Sequence, residues 1–209
     1  MRFSFIGMSN IGKSTWSKRL ADGYGYARID CDKKIETRLR SELQALGFSG
    51  IGGVAKWMGF PSSPDYAAKS ARYLQCETEV MQETIDFLQK NKAENTIIDT
   101  TGSVIYCDDT IVQALRQQSR IVYLEASDLY VNQLFKRYIA HPKPTIWGDI
   151  YQPAADETPR QTLKRCYPIL LAQRAQKYRA IADLVIPFDQ HHGHGADIIA
   201  LIGQKNGQP

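Results

Sequence analysis

An α/β fold, a three-layer sandwich around a central five-stranded parallel sheet, is what this chain predicts, on three observations. Short apolar runs alternate with longer helical patterns, the order that βαβ units impose. Acids or glycine-rich turns stand at the carboxyl ends of those runs, where open α/β sheets place their sites. The first run feeds Gly7-Met8-Ser9-Asn10-Ile11-Gly12-Lys13-Ser14-Thr15, which fits the phosphate-binding loop G-x-x-x-x-G-K-[ST] at every fixed position and makes the sandwich a P-loop NTPase.

Taken in order, Arg2–Ile6 reads as a short buried strand and residues 13–22 as the helix after the loop. The glycines let successive N–H groups face a phosphate at the positive end of that helix. Lys13 is expected to reach the β- and γ-phosphates and the Ser14 hydroxyl to ligate Mg²⁺. Gly7, Asn10, Ile11, Gly12, Lys13, Ser14 and Thr15 thus form the expected cradle, with ATP and Mg²⁺ as cofactors. A glycine-rich turn that binds nothing is the competing reading. Residues 26–29 predict a second strand ending at Asp30, and residues 33–46 a helix carrying Ile35, Leu39, Leu43 and Leu46 at helical spacing. Residues 47–64, rich in Gly, Pro and Ser, read as a loop or insert.

Tyr66–Lys90 predicts one long helix or two, and Thr96–Asp99 a central strand, apolar up to its terminal carboxylate. Residues 104–118 read as a helix and residues 121–124 as a fourth strand ending at Glu125, with Ser127 as N-cap of a helix to about Tyr138. The stretch from His141 to Pro159 is irregular, a length that is usually functional or disordered, and its position suggests a lid. Residues 162–181 read as a basic helix interrupted near Pro168, residues 183–187 as the fifth strand, and residues 196–202 as a last helix. His191, His192 and His194 crowd a glycine-rich turn, but no carboxylate or Cys at ligand spacing makes a metal site of them.

A chain of 209 residues with 43% hydrophobic content can bury one substantial core. One domain over 1–209 is expected, with an acceptor-binding insert at about 33–75 and a lid at about 139–160. Nothing at the N-terminus reads as a signal peptide and no apolar run nears the roughly 20 residues that span a bilayer, so no membrane partner and a cytoplasmic location are expected. Four scattered cysteines suit reduced thiols. The net charge of +4 is mild and spread out, without the dense basic patch that nucleic-acid binding requires. A small-molecule acceptor, and a monomer or weak dimer, complete the expectation.

Carboxylates at strand ends carry the chemistry. In Asp30-Cys31-Asp32 the spacing lets Asp30 hold a metal-bound water while Asp32 orients an acceptor hydroxyl and takes its proton; simple N-capping is the alternative. Asp99, ending an apolar strand, has the form of a Walker B acid that fixes Mg²⁺, with a turn acid as its alternative. Thr100-Thr101-Gly102-Ser103 follows, and its N–H and hydroxyl groups are candidates to line the acceptor pocket.

Beyond the loop, Ile29-Asp30-Cys31-Asp32-Lys33-Lys34-Ile35-Glu36 is similar to a D-x-D-x-x-I-E segment, and Thr100 to Val104 to a shortened T-G-G-G-S-V. With Leu134-x-x-Arg137, Lys143-Pro144 and Arg174-x-x-x-Tyr178-x-x-Ile181-Ala182-Asp183, the chain resembles the shikimate kinases, a branch of the nucleoside-monophosphate-kinase-like P-loop proteins. That resemblance implies an acceptor contact for Asp32, a place near Mg²⁺ for Asp30 and one beside adenine for Arg137. It also implies a lid cation in Lys143 and an arginine for the acceptor carboxylate in Arg174. A solvated cation is the plainer reading of Arg137 and Lys143, and a basic helix face that of Arg174. The chain departs from the pattern where Tyr73-Leu74 precedes Glu77 in place of a Phe-Arg pair, Arg72 lying one step off, and where one glycine of the T-G-G-G run is missing. Lys143 replaces an arginine and loses its planar fork.

The function expected is ATP-dependent transfer of the γ-phosphate to a hydroxyl, with shikimate or a related hydroxy acid as acceptor. A nucleoside, nucleotide or sugar acid as acceptor is the first alternative, and a nucleotide-binding regulatory protein with a degenerate acceptor site the second. No N-K-x-D segment supports a GTP-driven switch.

Overall fold

In the computed structural model, which describes residues 1–91, 95–193 and 197–204, five parallel strands form one sheet in the order β2-β3-β1-β4-β5. These are β1 (Arg2–Ile6), β2 (Ala27–Asp30), β3 (Thr96–Asp99), β4 (Arg120–Leu124) and β5 (Leu184–Ile186), all five where the sequence places them. Phe5, Ile6, Ile97, Ile98, Ile121 and Val122 are wholly buried, as strands covered by helices on both faces must be. The chain leaves β1 toward β2 and β3, then crosses to β4 and β5, so the carboxyl end of β1 faces the switch in direction where ligands bind. β2 lies against β3 with Asp30 in register with Asp99.

Helix α1 (Lys13–Tyr24) runs two residues past its expected end and stops where Gly25 turns left-handed at φ 68°. The helix expected over 33–46 is two: α2 (Cys31–Arg38) starts directly after β2, and α3 (Arg40–Gln44) follows a break at Leu39. That break keeps Ile35, Leu39 and Leu43 buried together and leaves Leu46 52% exposed, off the apolar face the spacing assigned it to. Residues 47–64 are not all loop, because α4 (Gly50–Met58) lies inside them. Gly52 and Gly53, inside it, each cost about 1 kcal/mol in a helix. Burial of Val54, Trp57 and Met58, roughly 1.5–3 kcal/mol for a large apolar side chain, outweighs that.

Helix α5 (Tyr66–Lys90) is a single 25-residue helix. The helix expected from 104 is a 3-10 turn, Val104–Tyr106, then α6 (Asp109–Gln118). Ser127 does not cap by its side chain: its carbonyl accepts Tyr130 N–H within a 3-10 turn, and α7 (Val131–Ala140) begins after it. Helix α8 (Pro159–Ile181) runs unbroken through Pro168, starting from a Thr158–Gln161 capping box. A proline inside a helix costs about 3 kcal/mol, offset here by the burial of Cys166, Tyr167, Leu170 and Leu171 on either side of it. After β5 come α9 (Phe188–His191) and α10 (Ile198–Gln204); His194 and the expected start of the last helix at Ala196 lie outside the described residues. His191 is buried, its Nε2 on the Glu125 carbonyl at 2.8 Å, and His192 stacks on Phe188, so both rings have packing roles. Among the described residues the four cysteines are free and buried, and no helix is long and apolar enough to cross a membrane.

The irregular segment after α7 is tied down at its middle. Trp147 is fully buried, donating its indole N–H to the Tyr138 hydroxyl at 3.1 Å. Tyr66 on α5 accepts the Trp147 backbone N–H at 2.9 Å and donates to the Thr145 carbonyl at 2.7 Å.

Candidate active site

A cavity of about 310 Å³ opens at the carboxyl end of the sheet, walled by the loop after β1, by Asp32 after β2, Gly102 after β3, Tyr73 on α5, Arg137 on α7 and Lys143-Pro144. The loop is shaped by sterics. Gly7 adopts φ +140°, and a Cβ there would stand 2.7 Å from the Leu124 carbonyl oxygen, so only glycine lets β1 turn beside β4. Asn10 is the one non-glycine residue at positive φ (66°) among those described, a conformation asparagine tolerates better than most. Helix α1 then begins at Gly12 with no side-chain cap and no acid in its first turn. Its first N–H groups are thus left for an anion, and the helix dipole favours one there.

Lys13 is 7% exposed and its ammonium donates to the carbonyls of Gly7 (2.8 Å) and Met8 (3.1 Å). Burial lowers its pKa below the usual 10.5, opposed by the nearby carboxylates of Asp99 and Asp32. A buried cation held only by carbonyls gains from an incoming anion, so the cradle suits a polyphosphate. Across the cavity, burial raises the Asp32 carboxyl to about 6, with Lys13 pulling it down, Asp99 and Asp30 pushing it up and Lys143 lowering it. That leaves Asp32 ionised at neutral pH yet a stronger base than an ordinary aspartate.

The expected site residues divide. Asn10, Gly12, Lys13, Ser14, Thr15, Asp32, Gly102, Arg137 and Lys143 all line the cavity, which brings together parts spread over 134 positions of sequence, from Asn10 to Lys143. Gly7 sits beneath the loop, and Ile11 turns its side chain into the core at 2% exposure. Arg174 stands behind Gly102 and outside the cavity lining, 1% exposed, its Nη1 on the Gly102 carbonyl (3.2 Å) and its Nη2 on the Ile146 carbonyl (2.6 Å). It pins the turn after β3 to the segment that holds Trp147. Tyr178 donates to the same Gly102 carbonyl.

Asp30 and Asp99 also lie outside the lining. Asp30 caps α2 by accepting Lys33 N–H at 3.0 Å and pairs with Arg28 at 2.8 Å. Asp99, 4% exposed, accepts from Ser17 at 3.0 Å and from Arg28 at 2.6 Å. Among the described residues no three His, Cys, Asp or Glu side chains converge as a ready metal cage. Among the oxygen donors that line the cavity, which include Ser9, Asn10 and Thr15, Ser14 and Asp32 could hold a metal ion.

Sequence reasoning missed Ser9, Tyr73 and Pro144 in the lining, the Arg28 bridge and the state of Glu77. Glu77, one helical turn from Tyr73 on α5, is 1% exposed and accepts the Thr101 hydroxyl through Oε1, while its Oε2 has no hydrogen-bond partner among the described residues. A signal for Arg28 existed. Residues two apart on a strand share a face, so Arg28 points the same way as Asp30.

No family model matches the chain, and no curated protein matches it either. Solved structures do. Shikimate kinase from Acinetobacter baumannii, in complex with shikimate, superposes with a TM-score of 0.61 at 21% identity, over 99% of this chain and 95% of that one. Shikimate kinase from Bacteroides thetaiotaomicron gives 0.60 at 18% identity over 99% and 97%, and that from Aquifex aeolicus 0.60 at 17% identity over the whole of both chains. With its all-parallel sheet in the order β2-β3-β1-β4-β5 and a phosphate-type loop opening α1, this chain has the P-loop kinase fold of the shikimate kinases.

Proposed function

We propose that this chain is an ATP-dependent small-molecule kinase that transfers the γ-phosphoryl group to a hydroxyl of a small polar acceptor. One observation carries the reading: a single cavity sets an uncapped helix start, Lys13 and Ser14 opposite a carboxylate, Asp32, that can take a proton. Phosphoryl transfer needs little else, since its barrier falls mainly through positioning and cations at the spreading phosphoryl charge. In this reading the loop N–H groups and Lys13 hold the polyphosphate, Lys143 adds a second cation, and Arg137, stacked over Tyr130 at 5.2 Å, lies toward the base. Bound with the nucleotide through Ser14, Mg²⁺ supplies charge neutralisation on the phosphates. The acceptor oxygen forms its bond to the γ-phosphorus as the bond to the ADP oxygen breaks, and its proton passes to Asp32. Residues 139–160 serve as the lid that keeps water out.

Structural likeness to shikimate kinases supports shikimate or a related hydroxy acid as the first acceptor to try. The commitment of Arg174 to two carbonyls supports keeping the wider choice of nucleoside, nucleotide or sugar acid, and within it the acceptors without a carboxylate. The test is ADP release from ATP and Mg²⁺ across a panel of these acceptors, with Lys13→Ala alongside. Acceptor-stimulated release that drops by about 10³-fold or more in Lys13→Ala is expected, the scale of losing a transition-state cation. Near-normal turnover in that variant, or no calorimetric heat from ATP or ADP with a folded protein, would refute the reading; nucleotide binding without turnover would favour the regulatory alternative.

A further inference from the structure

The two strand-end acids that sequence reasoning offered to a metal ion already hold a cation. Asp30 and Asp99 are register partners on β2 and β3, so their side chains stand side by side on one face of the sheet. Two adjacent carboxylates repel, and such a pair either shares a proton, binds a metal or takes a cationic side chain. Here Arg28, on the same face of β2, sets one Nη2 within 2.8 Å of Asp30 Oδ2 and 2.6 Å of Asp99 Oδ2. Its Nε donates to the Ser17 hydroxyl at 2.9 Å, and that hydroxyl donates to the same Asp99 oxygen at 3.0 Å. The ring Arg28–Ser17–Asp99 thus ties the first turns of α1 to β2 and β3.

We infer that Arg28 is a built-in counter-cation, a positioning residue that takes the place of a divalent ion between Asp30 and Asp99, so that this chain acquires its metal only with the nucleotide, on the Ser14 and Asp32 side of the cavity. The guanidinium is the better occupant of this place in the protein without nucleotide. It is always charged, is cheaper to dehydrate than Mg²⁺, and its donors satisfy both acids and Ser17 at once. The inference rests on the kinase reading only for its last clause, since the occupancy of the acid pair is tested without nucleotide.

The experiment is Mn²⁺ binding followed by electron paramagnetic resonance, first with the protein free of nucleotide. The wild type is expected to hold Mn²⁺ no better than millimolar. Arg28→Met, which keeps the aliphatic bulk and removes the charge, should gain a site at least tenfold tighter, and Asp99→Asn added to it should remove that site. A wild-type Mn²⁺ site that Asp99→Asn abolishes overturns the inference, and so does a folded Arg28→Met that gains nothing. If Arg28→Met does not fold, the wild type with ADP decides. Asp99→Asn should then change Mn²⁺ affinity by less than twofold, while a tenfold loss makes Asp99 a ligand and overturns the assignment. Absence of any ADP binding would fail the kinase reading instead, and leaves the result without nucleotide to decide the place of Arg28.

Discussion

Glu77→Gln is the substitution whose effect follows most directly from the structure. The carboxyl is 1% exposed, and burial is the main reason it rises from an ordinary 4.5 to about 8; Asp32 adds to the rise, while Ser103, Arg174 and Lys13 oppose it. Between those two values the unfolded chain has released a proton that the folded chain keeps. The unfolded state therefore binds fewer protons, and stability falls as pH rises through the window. From pH 5 to pH 8 the loss comes to about 3–4 kcal/mol, at about 1.36 kcal/mol for each pH step of one, weighted by the difference in bound proton between the two states. Glutamine is a near-isostere of the protonated acid: its carbonyl can still accept from Thr101, and its amide stands where Oε2 has no hydrogen-bond partner among the described residues. Burying that amide costs about 1–3 kcal/mol, but at every pH alike, so it shifts the curve without tilting it. Urea unfolding followed by circular dichroism at pH 5, 6.5 and 8 reads the difference. The wild-type stability should fall against that of Glu77→Gln by about 3 kcal/mol across the range, Asp32 titrating in both chains and cancelling. Parallel curves would show that Glu77 is ionised in the fold, and the reasoning from burial would be wrong.

Asp32→Asn should lower kcat by about 10²–10⁴-fold with nucleotide affinity nearly intact, as expected for a lost general base. The wild-type kcat/KM should also fall below about pH 6, where the carboxyl gains its proton, and that acid limb should vanish in the variant. Equal loss of turnover and nucleotide affinity would reassign Asp32 to the metal. Arg174→Ala should destabilise the fold by about 3 kcal/mol, since it strips charged donors from the buried carbonyl of Ile146 and the part-buried carbonyl of Gly102, read from the urea midpoint. Unchanged stability with only a raised acceptor KM would mean that the side chain serves the acceptor.

The parts of this protein legible in its sequence are those that local rules decide. Strand β3 carries Ile97 and Ile98 ahead of Asp99 because both its faces are covered, and that pattern needs no partner to be read. The loop from Gly7 to Thr15 is a backbone device, and the residues that let a chain curl around a phosphate are few. Asp32 was legible for a related reason: two residues past a strand end, at the start of a helix, it stands beside the crevice above the sheet, and the cavity lining includes it. Where a helix had to be judged by composition, local rules misled. The glycines of α4 and the proline in α8 argue against helix one residue at a time, and the burial of Trp57, Met58 and Tyr167 overrules them.

Which charge answers which was beyond the sequence. Asp30 and Asp99 are 69 positions apart, and they face Arg28 together only because β3, formed later in the chain, inserts between β1 and β2. Arg174 lies on a helix whose pattern reads equally as a basic surface or as an acceptor arm. Its actual commitment, to two carbonyls from loops 44 residues apart, exists only once those loops are packed. The division has one physical cause. Propensity, periodicity and backbone sterics act within a few residues, so the sequence alone determined the sheet, the glycine-rich loop after β1 and the side of the sheet on which the cavity opens. Burial and Coulomb forces act between whatever the fold makes adjacent, so only the tertiary structure decided which acids remain open to a ligand.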